Sequence, residues 1–261
     1  MEKLNRDELF SLAINLDLPS LLKFCRTNKH FSEKICARDE IWDYRLSKDF
    51  PDYKILNLNK NMNKKEIYQL LYGLVEVKNK LKIKETIYEL YNLGRLELRF
   101  KNFTELPANL GNLVNLQTLD LSDGNLTEIP ASLGNLLNLQ VLNLSYNNLA
   151  RIPSSLGNLI NLKLLYLYDN YLTEIPESLG NLNNLRELIL YDNKIDKIPA
   201  SLGNLSNLQK LDLSYNKLTE IPANLLNLVN LETLNLSNNN LTKQEKIKIK
   251  QKFGNIEKLR V

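Results

Sequence analysis

The sequence contains few of the residues that build metal sites, disulfide scaffolds or membrane spans. Its 261 residues include one histidine, two cysteines and one tryptophan. One histidine and two cysteines cannot supply the four ligands of a structural zinc site without help from carboxylates. No apolar run approaches the roughly 18 residues that suggest a transmembrane helix. Residues 1–20 alternate charged and apolar positions, so we expect neither a secretory signal nor membrane contact.

The scarcity of reactive side chains also bears on catalysis. Cys25 and Cys36 lie among apolar residues, where inert buried thiols are more common than nucleophiles. No phosphate-binding loop or nucleotide fingerprint occurs. We therefore expect no enzyme activity, no cofactor and no metal. Both cysteines are expected as reduced thiols, in a cytoplasmic setting.

Leucine and asparagine, in contrast, supply 58 and 37 of the 261 residues. Six prolines lie 23 residues apart, from Pro107 to Pro222. The first five are followed by Leu-Gly-Asn-Leu, whereas the last is followed by Leu225-Leu226-Asn227-Leu228. A fixed period of this length predicts a short unit that is repeated and stacked.

One unit, residues 139–161, shows how such a repeat folds. Residues 141–145 alternate with period two, which predicts a strand with one buried face. Asn147 follows at the turn, where its amide can both donate to and accept from buried backbone groups. Pro153 begins the return arm, because proline fixes φ and ends the strand. One unit cannot bury its own leucines, so neighbours must cover them in a solenoid with a parallel sheet on one side.

This pattern resembles the leucine-rich repeat family, in its 23-residue form, over residues 83–261. The resemblance implies an α/β horseshoe whose strands centre on Leu96-Glu97-Leu98, Leu119-Asp120-Leu121, Leu142-Asn143-Leu144, Leu165-Tyr166-Leu167, Leu188-Ile189-Leu190, Leu211-Asp212-Leu213 and Leu234-Asn235-Leu236. The turn asparagines are Asn147, Asn170, Asn193, Asn216 and Asn239. Lys101 and Gly124 occupy the same slot in the first two units, and Asn125 is a candidate to compensate for Gly124.

Both ends of the array need covers. Residues 242–261 predict a basic capping helix that starts at Thr242, ends at Gly254 and precedes a final strand. We divide the chain into a helical unit 1–50, a helical linker or cap 51–82, a repeat array 83–241 (a half unit plus seven units) and the C-terminal cap 242–261.

Residues 4–50 lack the 23-residue period and resemble an F-box. Residues 16–22 and 39–42 stand in the family's order, although Asn5 and Phe31 replace its usual proline and tryptophan. F-box-like heads followed by regular repeats are similar to proteins of large DNA viruses of protists, which would place the chain in a host cytoplasm. The resemblance implies docking of a Skp-family adaptor of a ubiquitin ligase through Leu4, Leu9, Phe10, Leu12, Leu18, Pro19, Leu22 and Trp42. The alternative is that residues 1–82 only cap the first repeat.

Side chains between the strand leucines should face the concave side of the sheet. In the central units these slots hold aromatic and apolar residues, where the outer units carry Ser, Thr and Asn. We predict a partner-binding face formed by Tyr146, Leu164, Tyr166, Tyr168, Ile189, Tyr191 and Tyr215 with Asp169 and Asp192. The alternative is that tyrosine merely suits a pleated surface.

Charge points to the class of partner. The chain has a net charge of +4, but residues 93–241 carry 10 basic and 14 acidic side chains. A mildly acidic face disfavours nucleic acid and favours a protein with some basic character. We therefore predict a monomeric protein-interaction module. It is either an F-box-type substrate receptor that links a protein on its concave face to a Skp-cullin ubiquitin ligase, or a scaffold or effector without a ubiquitin role.

Overall fold

The computed structural model describes residues 4–261, so the first three residues of the predicted 1–50 unit lie outside the described chain. The helices are α1 Arg6–Asn15, α2 Leu18–Thr27, α3 Lys29–Phe31, α4 Asp39–Asp49, α5 Lys64–Leu81, α6 Ile87–Tyr91 and α7 Lys243–Phe253. The strands are β1 Arg95–Glu97, β2 Thr118–Asp120, β3 Val141–Asn143, β4 Leu164–Tyr166, β5 Glu187–Ile189, β6 Lys210–Asp212, β7 Thr233–Asn235 and β8 Lys258–Arg260.

The eight strands form one parallel sheet in chain order. From β1 to β7, residues 23 positions apart are paired, so Leu142 lies beside Leu165 and Leu119. The strand leucines on the inner side are buried in one continuous core. The predicted solenoid with a parallel sheet is thus confirmed, and β8 is the predicted final strand.

Each of the first six units returns along a short 3-10 helix, which we call its arm, whereas the seventh is followed by α7. The arms are Ala108–Asn112, Ala131–Asn135, Ser154–Asn158, Glu177–Asn181, Ala200–Asn204 and Ala223–Asn227. Successive arms pack closely. A Cβ atom at Gly157 would lie 2.6 Å from the Cβ of Ser178 and 2.8 Å from its carbonyl carbon. The last arm has no following arm against it, which explains why Leu226 can stand where the other arms have glycine.

The turn asparagines form a continuous hydrogen-bonded ladder inside the array. Asn193 accepts from the N–H of Leu172 (3.0 Å) and donates to the carbonyls of Leu167 (3.0 Å) and Leu190 (3.1 Å). The Leu167 carbonyl also accepts from Asn170, so neighbouring asparagines share acceptors. These side chains satisfy buried backbone groups that water cannot reach.

Asn125 does not compensate for the glycine at position 124, contrary to the expectation. It is exposed, and its amide donates to Asn102 at 3.4 Å, away from the core carbonyls. Asn147 of the next unit accepts from the N–H of Leu126 and donates to the carbonyl of Leu121, the same bonds that Asn170 makes to the turn before it. The ladder therefore begins at Asn147.

The N-terminal helices form a small bundle whose buried side chains continue into the core of the repeats. Asn5 caps α1 in a reciprocal capping box with Glu8, and Asp17 caps α2 by accepting from the N–H of Ser20. Leu9 and Trp42 are fully buried in this core. Arg45 is also buried and donates to the carbonyls of Ala13 and Leu16, which satisfies the open end of α1.

Helix α5 connects the bundle to the repeats. Tyr68 packs against Trp42 and Phe50 and donates to Asp49 at 2.6 Å. Its burial, followed by the hydrogen bond to Asp49, raises the pKa of Tyr68 to about 12. On the opposite side Gly73 approaches the first arm, where a Cβ would lie 2.7 Å from the amide nitrogen of Asn112.

The expectation of two reduced thiols is wrong, because Cys25 and Cys36 form a disulfide. Helix α2 and the π-helical turn Ser32–Cys36 bring their Cα atoms to 5.8 Å, within the range that a disulfide spans. Residue types and spacing did not show that these two segments pack side by side.

Candidate functional site

The concave surface is built from the residues between the strand leucines and differs sharply between outer and central units. In the second, third, sixth and seventh units an Asp or Asn is followed two residues later by serine. Ser145, for example, donates its hydroxyl to Asn143 at 2.6 Å, and Ser214 donates to Asp212 at 2.6 Å. Equivalent pairs occur in the second and seventh units. These polar groups satisfy one another and offer little to a partner.

The two central units replace those polar pairs by Tyr166 with Tyr168 and by Ile189 with Tyr191. The rings of Tyr168 and Tyr191 stack with centroids 4.6 Å apart, and Tyr146 meets Tyr168 edge-to-face at 5.1 Å. We call Tyr146, Tyr168 and Tyr191 the tyrosine shelf. Aromatic rings held by one another lose little conformational freedom on binding, which suits them as anchors.

Among the predicted face residues, Ile189 is not available as a contact. Its side chain is 6% exposed, covered on the concave side rather than packed in the leucine core. Leu164 and Tyr166 are half-buried, and Tyr215 is 59% exposed at the turn of the sixth unit, directly after the unit of Tyr191. Ile189 therefore has little surface to offer a partner.

The residue three positions after each strand, from β1 to β7, has a left-handed backbone. Its φ is 54° at Tyr146, 53° at Tyr215 and 56° at Phe100, and Asp or Asn occupies the same position in the other units. Asp and Asn tolerate this conformation, whereas bulky aromatic residues adopt it at a cost of about 1 kcal/mol or more. Tyr146 and Tyr215 are nevertheless exposed, so burial of their rings does not offset the cost of this backbone conformation.

Asp169 and Asp192, which we call the carboxylate rim, adjoin the shelf. Burial raises the pKa of Asp169, and the nearby carboxylate of Asp192 raises it further. Neither carboxylate forms an ion pair within residues 4–261. Some other carboxylates of the sheet are paired, as in Arg99 with Asp120 at 3.1 Å and Lys210 with Glu187 at 3.7 Å. The rim thus holds unneutralised negative charge.

A groove of about 400 Å³ runs along the turns beside the shelf, lined by Tyr146, the carboxylate rim and Tyr171. Tyr171 was not predicted. Its ring is 49% exposed and lies under the ammonium of Lys194 at 4.3 Å. The signal that could have identified it was an aromatic residue directly after a ladder asparagine, a slot that holds Asn or Lys in the neighbouring units.

The predicted adaptor-binding residues separate into two groups. Leu9, Leu18 and Trp42 are buried in the bundle core, because α1, α2 and α4 turn them towards each other and α5 covers Trp42. They cannot contact an adaptor without unfolding the bundle. The five with accessible surface are Leu4, Phe10, Leu12, Pro19 and Leu22, of which Pro19 is exposed and the others are half-buried.

Within residues 4–261 every helix is too short or too polar to span a bilayer. The same residues contain no group of three or more His, Cys, Asp or Glu side chains placed to hold a metal ion.

Comparison with protein families gives one match, to a leucine-rich repeat region, over residues 54–165 and 141–261. A comparison with curated proteins finds no match. Similar solved structures include a leucine-rich repeat protein of Leptospira interrogans, 31% identical over 66% of this chain with a TM-score of 0.53. The plant peptide hormone receptor RGFR1 in complex with RGF2 is 39% identical over 58% of the chain, with a TM-score of 0.54. A TDR receptor is 38% identical over 52%, with a TM-score of 0.50. This chain covers 50% of the bacterial protein and 25% of each receptor.

Proposed function

Because this chain belongs to the leucine-rich repeat family, we propose that it is a protein-binding module whose partner docks on the tyrosine shelf. The observation that carries the proposal is the exchange of self-satisfied polar pairs for stacked tyrosines in the central units. Solvent-facing strand positions have no packing need for such rings. The similar receptor RGFR1 is solved in complex with RGF2, which supports a polypeptide as the class of ligand.

The partner is expected to present a basic side chain to the carboxylate rim. Asp169 and Asp192 lie together and form no ion pair with any cation of residues 4–261. An arginine of the partner can stack on tyrosine while it binds a carboxylate. An acidic or nucleic-acid partner would be repelled at this point. We therefore propose an extended or loop segment with at least one arginine beside apolar residues.

Replacement of Tyr168 and Tyr191 by serine should weaken partner capture by about 2–4 kcal/mol, as expected for central aromatic anchors. Both rings are accessible and outside the leucine core, so the melting temperature should change little. Capture by the purified full-length protein, followed by titration of the captured partner, measures the effect.

The matched control replaces Leu137 and Ile160 by serine. These side chains are 53% and 56% exposed in the same central region of the array, but they follow the arms and lie outside the sheet. The control should bind the partner like the native protein. Equal loss of capture in both variants would exclude the shelf as the specific contact.

Partner affinity should rise with pH across the raised pKa of Asp169. Above that pKa the carboxylate is ionised and attracts the partner's cation, whereas protonation at lower pH removes the attraction. Because the pKa is raised from 3.8, affinity should begin to fall at a higher pH than for an ordinary aspartate. The stability of the free protein should change in the opposite sense, since a raised pKa in the folded state means that stability is lost as pH increases. Titrations of the native protein and of Asp169→Asn compare the two profiles, and the variant should lack this pH-dependent step.

We further propose that the N-terminal bundle binds a Skp-family adaptor, so that the shelf would present its partner to a ubiquitin ligase. The support is the F-box-like order of residues and the accessible surface of Phe10, Pro19 and Leu22. A second candidate, a scaffold without a ubiquitin role, is favoured by the burial of Leu9, Leu18 and Trp42, which a simple cap also requires.

Pro19→Asp separates these two functions. An acidic residue is favourable in the first turn of α2, so the bundle should remain folded. If the bundle binds an adaptor, the change should lower the affinity for purified Skp-type adaptor about fivefold or more, the effect of roughly 1 kcal/mol at an interface. Ser11→Asp, an exposed substitution on α1, is the control. Absence of adaptor binding by the native protein would leave the scaffold function.

A further inference from the structure

The first strand, β1, has one edge without a strand neighbour. Within residues 4–261 it pairs only with β2. The carbonyl of Gly94 accepts from the N–H of Thr118, and the N–H of Leu98 donates to the carbonyl of Asp120. Since backbone groups alternate sides along a strand, the N–H and C=O groups of Arg95 and Glu97 point away from β2. These are the groups with which a further strand would pair.

The array itself cannot supply that strand. One period before β1, residues 72–74 lie in helix α5 rather than in a strand. Helix α5 covers the arm side of the first unit, where Gly73 approaches Asn112 and Glu76 accepts from Asn109 at 2.5 Å. The cap therefore protects the leucines of the first unit but leaves the strand side uncovered.

A groove of about 280 Å³ runs along this edge, between β1 and residues 81–85. Its apolar walls include Leu81, Ile83, Leu93, Leu96 and Leu98. Its charged residues are Lys82, Lys84, Arg95 and Lys101 with Glu85 and Glu97. Arg95 is paired with Glu97, whereas the three lysines are exposed and form no ion pair among the described residues. The groove is therefore basic as well as partly apolar.

We propose that this groove binds an extended acidic segment of a partner protein, which adds to the sheet as a strand beside β1. The backbone of Arg95 and Glu97 would provide the hydrogen bonds and the lysines would neutralise the acidic side chains. Alternating acidic and apolar residues fit this edge, because successive side chains of a strand point to opposite faces of the sheet.

Charge disfavours a second copy of the chain as the occupant. The opposite end of the sheet is β8, whose strand carries Lys258 and Arg260. Pairing of β8 from one copy with β1 of another would bring these cations against the lysines of the groove.

The groove lies at the β1 end of the sheet, whereas the tyrosine shelf lies in the central units. Binding in the groove is therefore independent of binding at the shelf.

The test uses the full-length protein and a fluorescent, end-blocked peptide of alternating glutamate and valine, about eight residues long, as suits one strand. Binding is followed by anisotropy, and hydrogen exchange reports the amides of Arg95 and Glu97. We expect binding, slower exchange at both amides, and weaker binding at high salt. Glu97→Pro should weaken binding about tenfold, because it removes one backbone donor at the edge without breaking the β1–β2 ladder.

Glu97→Thr is the matched control, since it removes the same side chain but retains the N–H, and it should bind at least as tightly as the native protein. Joint replacement of Lys82, Lys84 and Lys101 by glutamine should also weaken binding. The proposal is overturned if the native protein does not bind the peptide, if the proline and threonine variants bind equally, or if a lysine–valine peptide binds as well. Dimerisation that Glu97→Pro abolishes would assign the edge to a second copy instead.

Discussion

Replacement of Asn193 by alanine should lower the free energy of unfolding by roughly 2–6 kcal/mol. The buried N–H of Leu172 then has no acceptor, and the carbonyls of Leu167 and Leu190 each lose one donor. An unpaired buried donor costs about 1–3 kcal/mol, and each lost hydrogen bond adds about 0.5–1.5 kcal/mol. Denaturant unfolding monitored by circular dichroism measures the change.

Asn184→Ala, at the end of the preceding unit, provides the control. The Asn184 amide donates to the carbonyl of Ile160 at 2.8 Å, but the group is exposed and water can replace it. The expected loss is about 1 kcal/mol or less. Similar effects of the two substitutions would mean that burial of the ladder is not what makes it stabilising.

The ladder should also show energetic coupling between neighbours. Asn170 and Asn193 donate to the same carbonyl, that of Leu167. Residues that share a partner are not independent, so a double-mutant cycle should give a non-zero interaction energy. Asn147 and Asn239, which share no acceptor, should be additive.

Gly157→Ala should destabilise the protein by about 3 kcal/mol or more, which lowers the melting temperature by roughly 6–12 °C for a chain of this size. The new methyl group would overlap the backbone of Ser178 in the next arm. Backbone cannot rotate away as a flexible side chain can, so the two units must move apart and their leucines lose contact.

Gly94→Ala is the matched control, because a Cβ at Gly94 meets no heavy atom within 4 Å. Neither glycine has a positive φ, so the comparison isolates packing from backbone strain. We expect the control to melt within a few degrees of the native protein. Equal destabilisation by both substitutions would show that conformational freedom, not close approach of the arms, accounts for the glycines.

Much of the fold follows from local periodicity. The 23-residue spacing predicts the register of β1 to β7, since every unit contributes the same short strand and the same leucines. Thr242 and Gly254 mark the ends of α7 correctly, because a helix N-cap and its end depend on nearby residues. The sequence also predicts that Tyr168 and Tyr191 of the tyrosine shelf lie on the same face of the sheet, since alternation along a strand fixes which side chains share a face.

Other features of the candidate site depend on neighbours that are distant in sequence. Ile189 has the same strand position as Glu97, which is exposed, and as Asp212, which is half-buried, yet Ile189 is only 6% exposed. The raised pKa of Asp169 needs both burial and the carboxylate of Asp192. A periodic pattern predicts the strand or turn position of each residue. It does not predict the solvent exposure of the side chain, because exposure depends on the size of side chains in adjacent units.

The sequence by itself determined the repeated unit, its stacking into a parallel sheet and the surface on which the tyrosines lie. These features follow from the periodic leucines, because one unit cannot bury its leucines alone and stacked neighbours must cover them. Only the tertiary structure decided that Cys25 meets Cys36, that Leu9 and Trp42 face the bundle core, and that α5 leaves the edge of β1 open. Each of these depends on how non-repeating segments pack against one another, and no periodicity constrains that geometry.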